Sequence, residues 1–363
     1  MAKVIVYTCA YNAEKTISRT IESVLSQTFG DFKYYIVNNG STDATGSIID
    51  AYCSADKRIC RLNIFENNFR YYGSMFALLR HASMDSAEWA TIIDADDTWT
   101  VDFLENMTSF AEENNLPFVM CGYEQIEDKT GKLLKQKTLE NNLIVKREDY
   151  AEQFVNYRGF TLAMWGKLFP LKFNVMRKYH IEKQFMYGDS NSVLNGWTTK
   201  FDTFGIYAKP MYKYHIHESA YTLNNVGAVV GTFHNLYTTA KSFLENFGEI
   251  SNYNQNFLYA IYLTAVKDTV NLVVSSSLSQ PQKLVYIKNI LQKPLLYEIF
   301  EYRDVNPEII NMVNRREVLC GIMETIKSMD NKGYPVLHKD ICAIYDSLIE
   351  SLENTEGGKY ENN

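Results

Sequence analysis

The 363-residue chain lacks several features that would each assign it to a particular class of protein. It has no run of 18 apolar residues and no long apolar segment at its N-terminus, so we expect a soluble cytoplasmic protein. It has no long basic run and carries a net charge of −7, which argues against nucleic acid as a partner. Its six cysteines are scattered without the paired spacing of metal ligands, which is typical of reduced thiols in the cytosol.

Two phosphate-binding motifs are also missing near the N-terminus. The first apolar run continues into TCAYNAEKT (8–16), where a Rossmann dehydrogenase would have G-x-G-x-x-G. The same segment is neither glycine-rich nor strongly basic, as the phosphate loop of a nucleotidyltransferase would be. Both classes of nucleotide-binding enzyme are therefore disfavoured.

What the first hundred residues do contain is an alternation of apolar runs and amphipathic segments. The runs predict strands at 3–11, 33–37, 61–65 and 89–94, and the segments predict helices at 14–27, 43–53 and 73–84, the first capped by Asn12. Strands alternating with helices over short links predict an α/β fold with parallel strands, which bind ligands at their carboxyl ends. The turn IVNNGSTDATG (36–46) then enters a helix at this edge, although Asn-Gly alone would indicate a hairpin.

Beyond residue 100 the sequence pattern changes twice. Residues 101–220 mix a helix at 101–115, a strand at 117–123, a hairpin around 127–132, a helix near 147–157, an aromatic segment at 161–170 and a helix near 171–180. From about residue 228 long amphipathic helices follow, and their apolar stripes indicate a helical core, with dimerisation or docking at a membrane as the alternative. We predict one domain over 1–224, a helical domain over 225–352 and a disordered tail over 353–363.

Acidic residues cluster where the fourth predicted strand ends, because IIDADDTW contains Asp94, Asp96 and Asp97. Like charges raise one another's pKa, so such clusters are usually retained where a cation sits. Mg²⁺ and Mn²⁺ take carboxylate oxygens together with substrate phosphates. We interpret the cluster as a metal site, with capping of the next helix as the alternative for Asp97.

Ordered motifs over the first hundred residues closely resemble the nucleotide-binding half of family 2 glycosyltransferases, which have the GT-A fold. The motifs are the strand–YN–helix start, SVLSQTFGDF (23–32), VNNGSTD (37–43) and DADD (94–97). Further along, MWGKLF (164–169), MYGDSN (186–191) and YHIHES (214–219) resemble the family's W-N-K-L-[FY], catalytic G-D and Y-R-x-H-x-x-S motifs. The resemblance implies a nucleotide-binding half over 1–100 and an acceptor half over 101–224.

The resemblance also implies an activity. The chain would be an inverting, Mn²⁺- or Mg²⁺-dependent transferase that moves a sugar from a nucleotide-diphosphate donor, UDP-linked, to a hydroxyl of a glycan or lipid-linked acceptor. It would act in surface polysaccharide synthesis, in the cytoplasm or peripherally at the inner face of the membrane. The alternative is a non-catalytic nucleotide- or carbohydrate-binding protein on the same fold.

Individual roles follow from the matched positions. The resemblance places Thr8, Tyr11 and Asn39 at the base, Asp94 or Asp96 at the ribose, Asp96, Asp97 and His217 at the metal, and Asp189 as the general base. Because Asp189 follows Gly188, it would on its own more often be a helix N-cap. We also predict that Trp165 stacks on the acceptor sugar, packing in the core being the alternative.

Departures from the family pattern put the donor base in question. Asn38 and Asn39 stand where two aspartates are usual, and His215 stands where arginine or lysine is usual. The arginine-bearing A-R-N that usually follows the third strand is absent, and Leu78 is near that place. An asparagine can accept a hydrogen bond from uracil N3–H, but it can also donate and carries no charge.

Overall fold

A computed structural model describes residues 2–64, 87–171, 188–217, 226–329 and 333–357. The chain forms two compact units, residues 1–217 and 218–363. The predicted helix at 73–84 lies outside the described residues, as does all but the first residue of the helix predicted near 171–180. The predicted domain limits stay a prediction.

The first unit is built on one mixed sheet. Its strands are β1 (Val4–Ala10), β2 (Phe32–Asn39), β3 (Ile59–Ile64), β4 (Trp89–Ile92), β5 (Thr98–Trp99), β6 (Val119–Glu127), β7 (Leu133–Lys137), β8 (Leu143–Lys146), β9 (Lys167–Pro170) and β10 (Thr203–Ile216). They lie in the order β3-β2-β1-β4-β9-β6-β10-β5, with β7 added to β6 and β8 added to β10. Strands β3, β2, β1 and β4 are parallel to one another, which confirms the predicted α/β fold class.

The helices of this unit cover the sheet. In the described ranges they are α1 (Ile17–Leu25), α2 (Thr45–Ala55), α3 (Phe103–Glu113) and the single turn α4 (Phe154–Tyr157), followed later in the chain by a helical turn at Asp189–Asn191 that continues into the π-helix Ser192–Trp197. Ile17, Ile21 and Val24 recur on one face of α1 and are fully buried, as an amphipathic helix on a sheet requires. Strands β1 and β2 are almost wholly buried because helices and loops cover both of their faces.

Two predictions about helices in this unit are wrong. Helix α1 begins at Ile17 rather than after Asn12, because the Asn12 carboxamide oxygen instead accepts a hydrogen bond from Thr42 N at 2.9 Å and its backbone has a positive φ of 48°. The helix predicted near 147–157 is broken into the 3₁₀ turn Arg147–Asp149 and α4. The predicted hairpin around 127–132 is present, since β6 and β7 pair antiparallel.

The second unit is helical. Within 226–329 and 333–357 its helices are α5 (Val226–Thr232), α6 (Asn235–Glu245), α7 (Asn252–Ser275), α8 (Gln280–Leu291), α9 (Pro294–Glu301), α10 (Pro307–Ile310), α11 (Arg315–Ser328) and α12 (Pro335–Gly357). Among the described residues, α7 alone is long and apolar enough to cross a membrane. More than half of the apolar window is buried inside the protein.

The predicted disordered tail begins too early. Helix α12 continues to Gly357, and Thr355 is buried with its hydroxyl donating to the Phe300 carbonyl at 3.0 Å. Residues 353–357 are therefore helical, and the rest of the predicted tail lies outside the described residues.

Candidate active site

The ends of several strands meet at one edge of the sheet and bring the predicted site residues together. Strand β9 is antiparallel to both β4 and β6, and β10 is parallel to β6, so β4, β6 and β10 all run in one direction. The carboxyl ends of β1, β2, β4 and β10 therefore share an edge. Asn39, Asp94, Asp96 and His217 lie at or just beyond these ends.

The turn after β2 is tied to the turn after β1. Gly40 has a positive φ of 74°, and the chain then enters α2. Ser41 Oγ accepts from Asn12 N at 3.0 Å, and Thr45 Oγ1 accepts from Ala13 N at 2.7 Å. These contacts hold the turn after β1 against the turn after β2. Because the second turn leads into α2, the prediction that IVNNGSTDATG enters a helix is confirmed.

The three residues predicted to bind the base differ in exposure and in hydrogen bonding. Asn39 is only 4% exposed, and among the described residues its buried Oδ1 has no hydrogen-bond partner. The buried Thr8 hydroxyl is occupied inside the sheet, since it lies 2.8 Å from Tyr34 Oη and donates to the Ile93 carbonyl at 2.9 Å. Tyr11 is half exposed. Of the three, Asn39 is thus the one whose side chain carries a buried acceptor without a partner among the described residues.

Asp96 and His217 meet directly. Asp96 Oδ2 lies 2.7 Å from His217 Nε2, and both side chains are partly exposed. His215 has other partners, with Nε2 3.0 Å from Thr98 Oγ1 and Nδ1 3.3 Å from Asp128 Oδ1. A carboxylate beside an imidazole at an accessible edge is a donor pair that can hold a divalent ion.

Asp97 is placed as a structural residue instead. It is fully buried, its Oδ2 accepts from Tyr212 Oη at 2.6 Å and its Oδ1 accepts from His215 N at 2.8 Å. Burial, followed by the charges of Asp96 and Asp94, raises the pKa of Asp97 well above its ordinary value. This position corrects the prediction that Asp97 is a metal ligand, because both of its oxygens fix β10. It does not cap α3 either, whose N-cap is Asp102.

Helix α1 braces the turn at 94–97, a feature that the sequence reasoning missed. Thr16 Oγ1 donates to the Ala95 carbonyl at 3.0 Å, an Arg19 Nη to the Asp96 carbonyl at 2.7 Å and Thr20 Oγ1 to the Asp97 carbonyl at 2.8 Å. Arg19 also pairs with Asp128. The signal in the sequence is that Thr16, Arg19 and Thr20 follow the i, i+3, i+4 spacing of one helix face.

Asp189 begins a single helical turn after Gly188, whose φ is 90°. Its Oδ2 accepts a hydrogen bond from Met164 N at 3.3 Å, which ties it to the segment that carries Trp165. Lys167 is buried beside this segment and donates to the Trp165 carbonyl at 2.9 Å. Burial lowers the pKa of Lys167 to about 8, while attraction to Cys121 and Asp189 acts in the opposite direction.

Trp165 packs between the segment bonded to Asp189 and the turn at 94–97. Its ring stacks on Tyr212 with centroids 4.2 Å apart and meets Tyr123 edge-on at 5.1 Å. Tyr212 in turn donates to Asp97 and accepts from Asp94 N at 3.2 Å. Much of the Trp165 surface is therefore used in packing, and the side chain is only partly exposed.

A divalent ion would find two protein donors at this edge. Within the described ranges no group of three or more His, Cys, Asp or Glu side chains could hold a metal. Mg²⁺-type ions commonly take one or two protein ligands and complete their shell with phosphate oxygens and water. Asp96 and His217 fit an ion that binds together with a diphosphate.

Comparison with known proteins gives the family. Residues 5–179 match the family model described as Glycosyl transferase family 2, and this N-terminal region of the chain belongs to that family. Strands β2 to β9 and helices α1 to α4 lie within these matched residues.

The chain is similar to named relatives over part of its length. It is 34% identical over 120 residues to the putative teichuronic acid biosynthesis glycosyltransferase TuaG of Bacillus subtilis, covering 32% of this chain and 45% of that protein. It is 28% identical over 141 residues to the Escherichia coli UDP-Glc:alpha-D-GlcNAc-diphosphoundecaprenol beta-1,3-glucosyltransferase WfgD, covering 38% of this chain and 53% of that protein. The matches thus span about half the length of these relatives. A solved structure of S. aureus TarS 1-349 with UDP-GlcNAc superposes with a TM-score of 0.49 at 15% identity, covering 98% of this chain and 92% of that one.

Proposed function

We propose that the chain is an inverting, metal-dependent glycosyltransferase. It would move a sugar from a nucleotide-diphosphate donor, UDP-linked, to a hydroxyl of a glycan or lipid-linked acceptor in surface polysaccharide synthesis. The observation that carries the proposal is the 2.7 Å approach of Asp96 Oδ2 to His217 Nε2 at the shared strand edge of a family 2 chain. The relatives TuaG and WfgD, named for teichuronic acid biosynthesis and for a UDP-Glc donor, support a glycosyltransferase of polysaccharide synthesis with a UDP-sugar donor.

Asp96 and His217 would hold Mn²⁺ or Mg²⁺. When bound, such an ion neutralises the charge that develops on a departing diphosphate. Arg19, through its bond to the Asp96 carbonyl, keeps the carboxylate in position. With two protein donors, the ion and the nucleotide should bind together rather than separately.

The donor nucleoside would lie along the ends of β1, β2 and β4. Asn39 Oδ1 is a buried acceptor without a partner among the described residues, and a uracil N3–H would satisfy it. Thr8 would contribute through its backbone, since its hydroxyl is occupied, and Tyr11 would cover the base. Asp94 or Asp96 would accept from the ribose hydroxyls.

Asp189 would act as the general base. Its carboxylate takes the proton of the acceptor hydroxyl while that oxygen forms a bond to the anomeric carbon and the bond from this carbon to the diphosphate oxygen breaks. A single displacement from the opposite face inverts the anomeric configuration. The ammonium of Lys167 and the Asp189 carboxylate attract each other.

A protein of this function would work where nucleotide sugars are available, in the cytoplasm or peripherally at the inner face of the membrane. Association through the helical unit, either with a second copy or with the membrane, belongs to this proposal. The apolar helix α7 gives little support to association with the membrane, because more than half of its apolar window is buried.

The experiment that tests this function uses Asp189→Asn. We expect the variant to lose transfer, measured as release of nucleoside diphosphate from UDP-sugars with a panel of glycan and lipid-linked acceptors, while its Mn²⁺-dependent affinity for UDP stays near that of the wild type. The exposed Asp202 gives a matched control, Asp202→Asn, which should keep both. Loss of UDP binding together with transfer in Asp189→Asn would identify Asp189 as a structural cap. A wild type that binds UDP but transfers to no acceptor would favour the non-catalytic alternative.

A further inference from the structure

Asp128 lies between the two parts of the chain that carry the proposed metal ligands. It is the first residue after β6, and its backbone N–H donates to the Ile216 carbonyl at 3.0 Å, at the end of β10. Ile216 is paired with Glu127 in the register of the two parallel strands, and His217 follows it directly. The backbone of Asp128 is thereby joined to the residue that precedes His217.

The side chain of Asp128 extends this connection to helix α1. Its Oδ1 accepts a hydrogen bond from Arg19 Nη1, and Nδ1 of His215 lies 3.3 Å from the same oxygen. The other terminal nitrogen of Arg19 donates to the Asp96 carbonyl at 2.7 Å. One carboxylate therefore contacts both the strand that leads to His217 and the arginine that holds the backbone of Asp96.

His215 holds the same strand end through its other atoms. Its side chain is only 12% exposed, and its Nε2 lies 3.0 Å from Thr98 Oγ1. Its backbone N–H donates to Asp97 Oδ1 at 2.8 Å. Together with the approach to Asp128, these contacts hold the last residues of β10 against both the turn at 94–97 and the end of β6.

The Asp128 carboxylate is ionised and partly buried in this position. Burial raises the pKa of its carboxyl, but the hydrogen bond and charge of Arg19, with the charges of His215 and His217, lower it more, so the pKa lies below its ordinary value. The side chain is 25% exposed and that of Arg19 is 36% exposed. Because a partly exposed ion pair adds little to stability, we expect this pair to act mainly on the orientation of the groups that it holds.

We propose that Asp128 is a positioning residue for the metal site formed by Asp96 and His217. It orients Arg19, which holds the backbone of Asp96, and it fixes the end of β10, which His217 follows. Groups that orient metal ligands through hydrogen bonds change metal affinity without contacting the ion. The proposal rests on the proposed function, because that function supplies the ion.

Mn²⁺-dependent binding of UDP to the full-length chain tests the consequence for the metal site. Asp128→Asn removes the charge with which Arg19 pairs, and it should weaken this binding by about threefold to tenfold in titration calorimetry. Arg19→Met combined with Asp128→Asn should weaken it no more than the stronger of the two single changes, because both residues act through one contact. Fully additive losses would contradict that shared contact.

Asp56→Asn is the matched control. Asp56 is also 25% exposed and pairs with an arginine of similar exposure, Arg58 at 33%, but it lies just before β3, at the amino ends of the parallel strands. Both variants should lower Tm by no more than about 4 °C, as expected for partly exposed ion pairs. Asp56→Asn should nevertheless bind UDP with Mn²⁺ as the wild type does, so equal losses of binding in the two variants would overturn the proposal.

Hydrogen exchange in EDTA tests the positioning without any metal. Asp128→Asn should speed exchange in the segments 94–99 and 213–217, and Asp56→Asn should not. Unchanged exchange in both segments overturns the proposal, as does faster exchange throughout 2–217, or wild-type binding of UDP in the Asp128→Asn variant. Faster exchange confined to the two segments, in a chain whose wild type binds no nucleotide with Mn²⁺, would support the positioning role and contradict the proposed function, so the two failures are distinguishable.

Discussion

The adjacent residues Asp96 and Asp97 should respond to the same substitution in opposite ways. Asp97→Asn preserves shape and leaves a carbonyl oxygen for His215 N, but it removes the oxygen that accepts the 2.6 Å bond from the buried Tyr212. Losing that partner should cost about 1–3 kcal/mol. For a domain of this size each kcal/mol shifts Tm by about 2–4 °C, so Tm should fall by about 2–12 °C. The partly exposed Asp96 has no such structural bond through its carboxylate except to His217, so Asp96→Asn should change Tm by only about 2 °C.

Metal-dependent binding of UDP should separate the two variants as well, in the opposite order to their effect on Tm. Asp97→Asn should keep its Mn²⁺-dependent affinity for UDP within about threefold of the wild type, whereas Asp96→Asn should lose about tenfold or more. Thermal unfolding in EDTA and calorimetric titration of UDP with Mn²⁺ measure the two effects separately. The reasoning is refuted if Asp97→Asn unfolds at the wild-type temperature and has lost metal-dependent binding.

The pH dependence of stability provides an independent check on Asp97. Its raised pKa means that the folded chain binds more protons than the unfolded chain between the unfolded and folded pKa values. The stabilisation from this group is therefore present at low pH and declines as the pH rises from about 4 through the folded pKa. Asp97→Asn removes the titration, so the stability difference between wild type and variant should narrow with rising pH in EDTA. A difference that widens would mean that the carboxylate is favoured in its ionised form.

Other parts of the structure give further predictions. Arg19→Met should weaken Mn²⁺-dependent UDP binding by about threefold to tenfold because the Asp96 carbonyl loses its donor, with Arg19→Lys intermediate in the same titration. Thr355→Val should lower the free energy of unfolding in urea by about 1 kcal/mol, because its buried hydroxyl lies 2.7 Å from the Ser351 carbonyl and 3.0 Å from the Phe300 carbonyl, and no change would mean that these hydrogen bonds add nothing to stability. Because the pKa of Lys167 is lowered from 10.5 to about 8, the unfolded chain binds more protons between these values, so stability should rise with pH across that window. Lys167→Met should flatten the rise, and an unchanged slope would place the titration elsewhere.

The parallel half of the sheet could be predicted because each strand and helix is encoded by a short, continuous stretch of sequence. Each apolar run of the first hundred residues is followed by an amphipathic segment, and that order alone selects parallel strands. The position of β9 could not be predicted in this way. Lys167–Pro170 is a short strand, and its insertion between β4 and β6 in the antiparallel direction depends on contacts with residues far away in the sequence.

In the site, too, some features follow from the order of the motifs, and others depend on contacts between residues distant in the sequence. The approach of Asp96 to His217 follows from two strands that end at one edge, so the motif order was sufficient to expect it. The different roles of Asp96 and Asp97 depend on how the turn packs on Tyr212, which no local pattern encodes. The start of α1 was misplaced for a related reason. The Asn12 side chain is taken by Thr42, thirty residues along the chain, and so is not available to cap the helix.

The central claim is that a nucleotide diphosphate and a divalent ion bind together at the strand edge that carries Asn39, Asp96 and His217. A thermal-shift titration of the full chain with UDP, GDP, TDP and CMP, each with and without Mn²⁺, tests it most directly. We predict that UDP raises Tm most, that the rise requires Mn²⁺, and that Asp96→Asn abolishes it. No metal-dependent rise with any nucleotide would contradict the transferase function, and a larger rise with GDP than with UDP would contradict the assignment of uracil to Asn39.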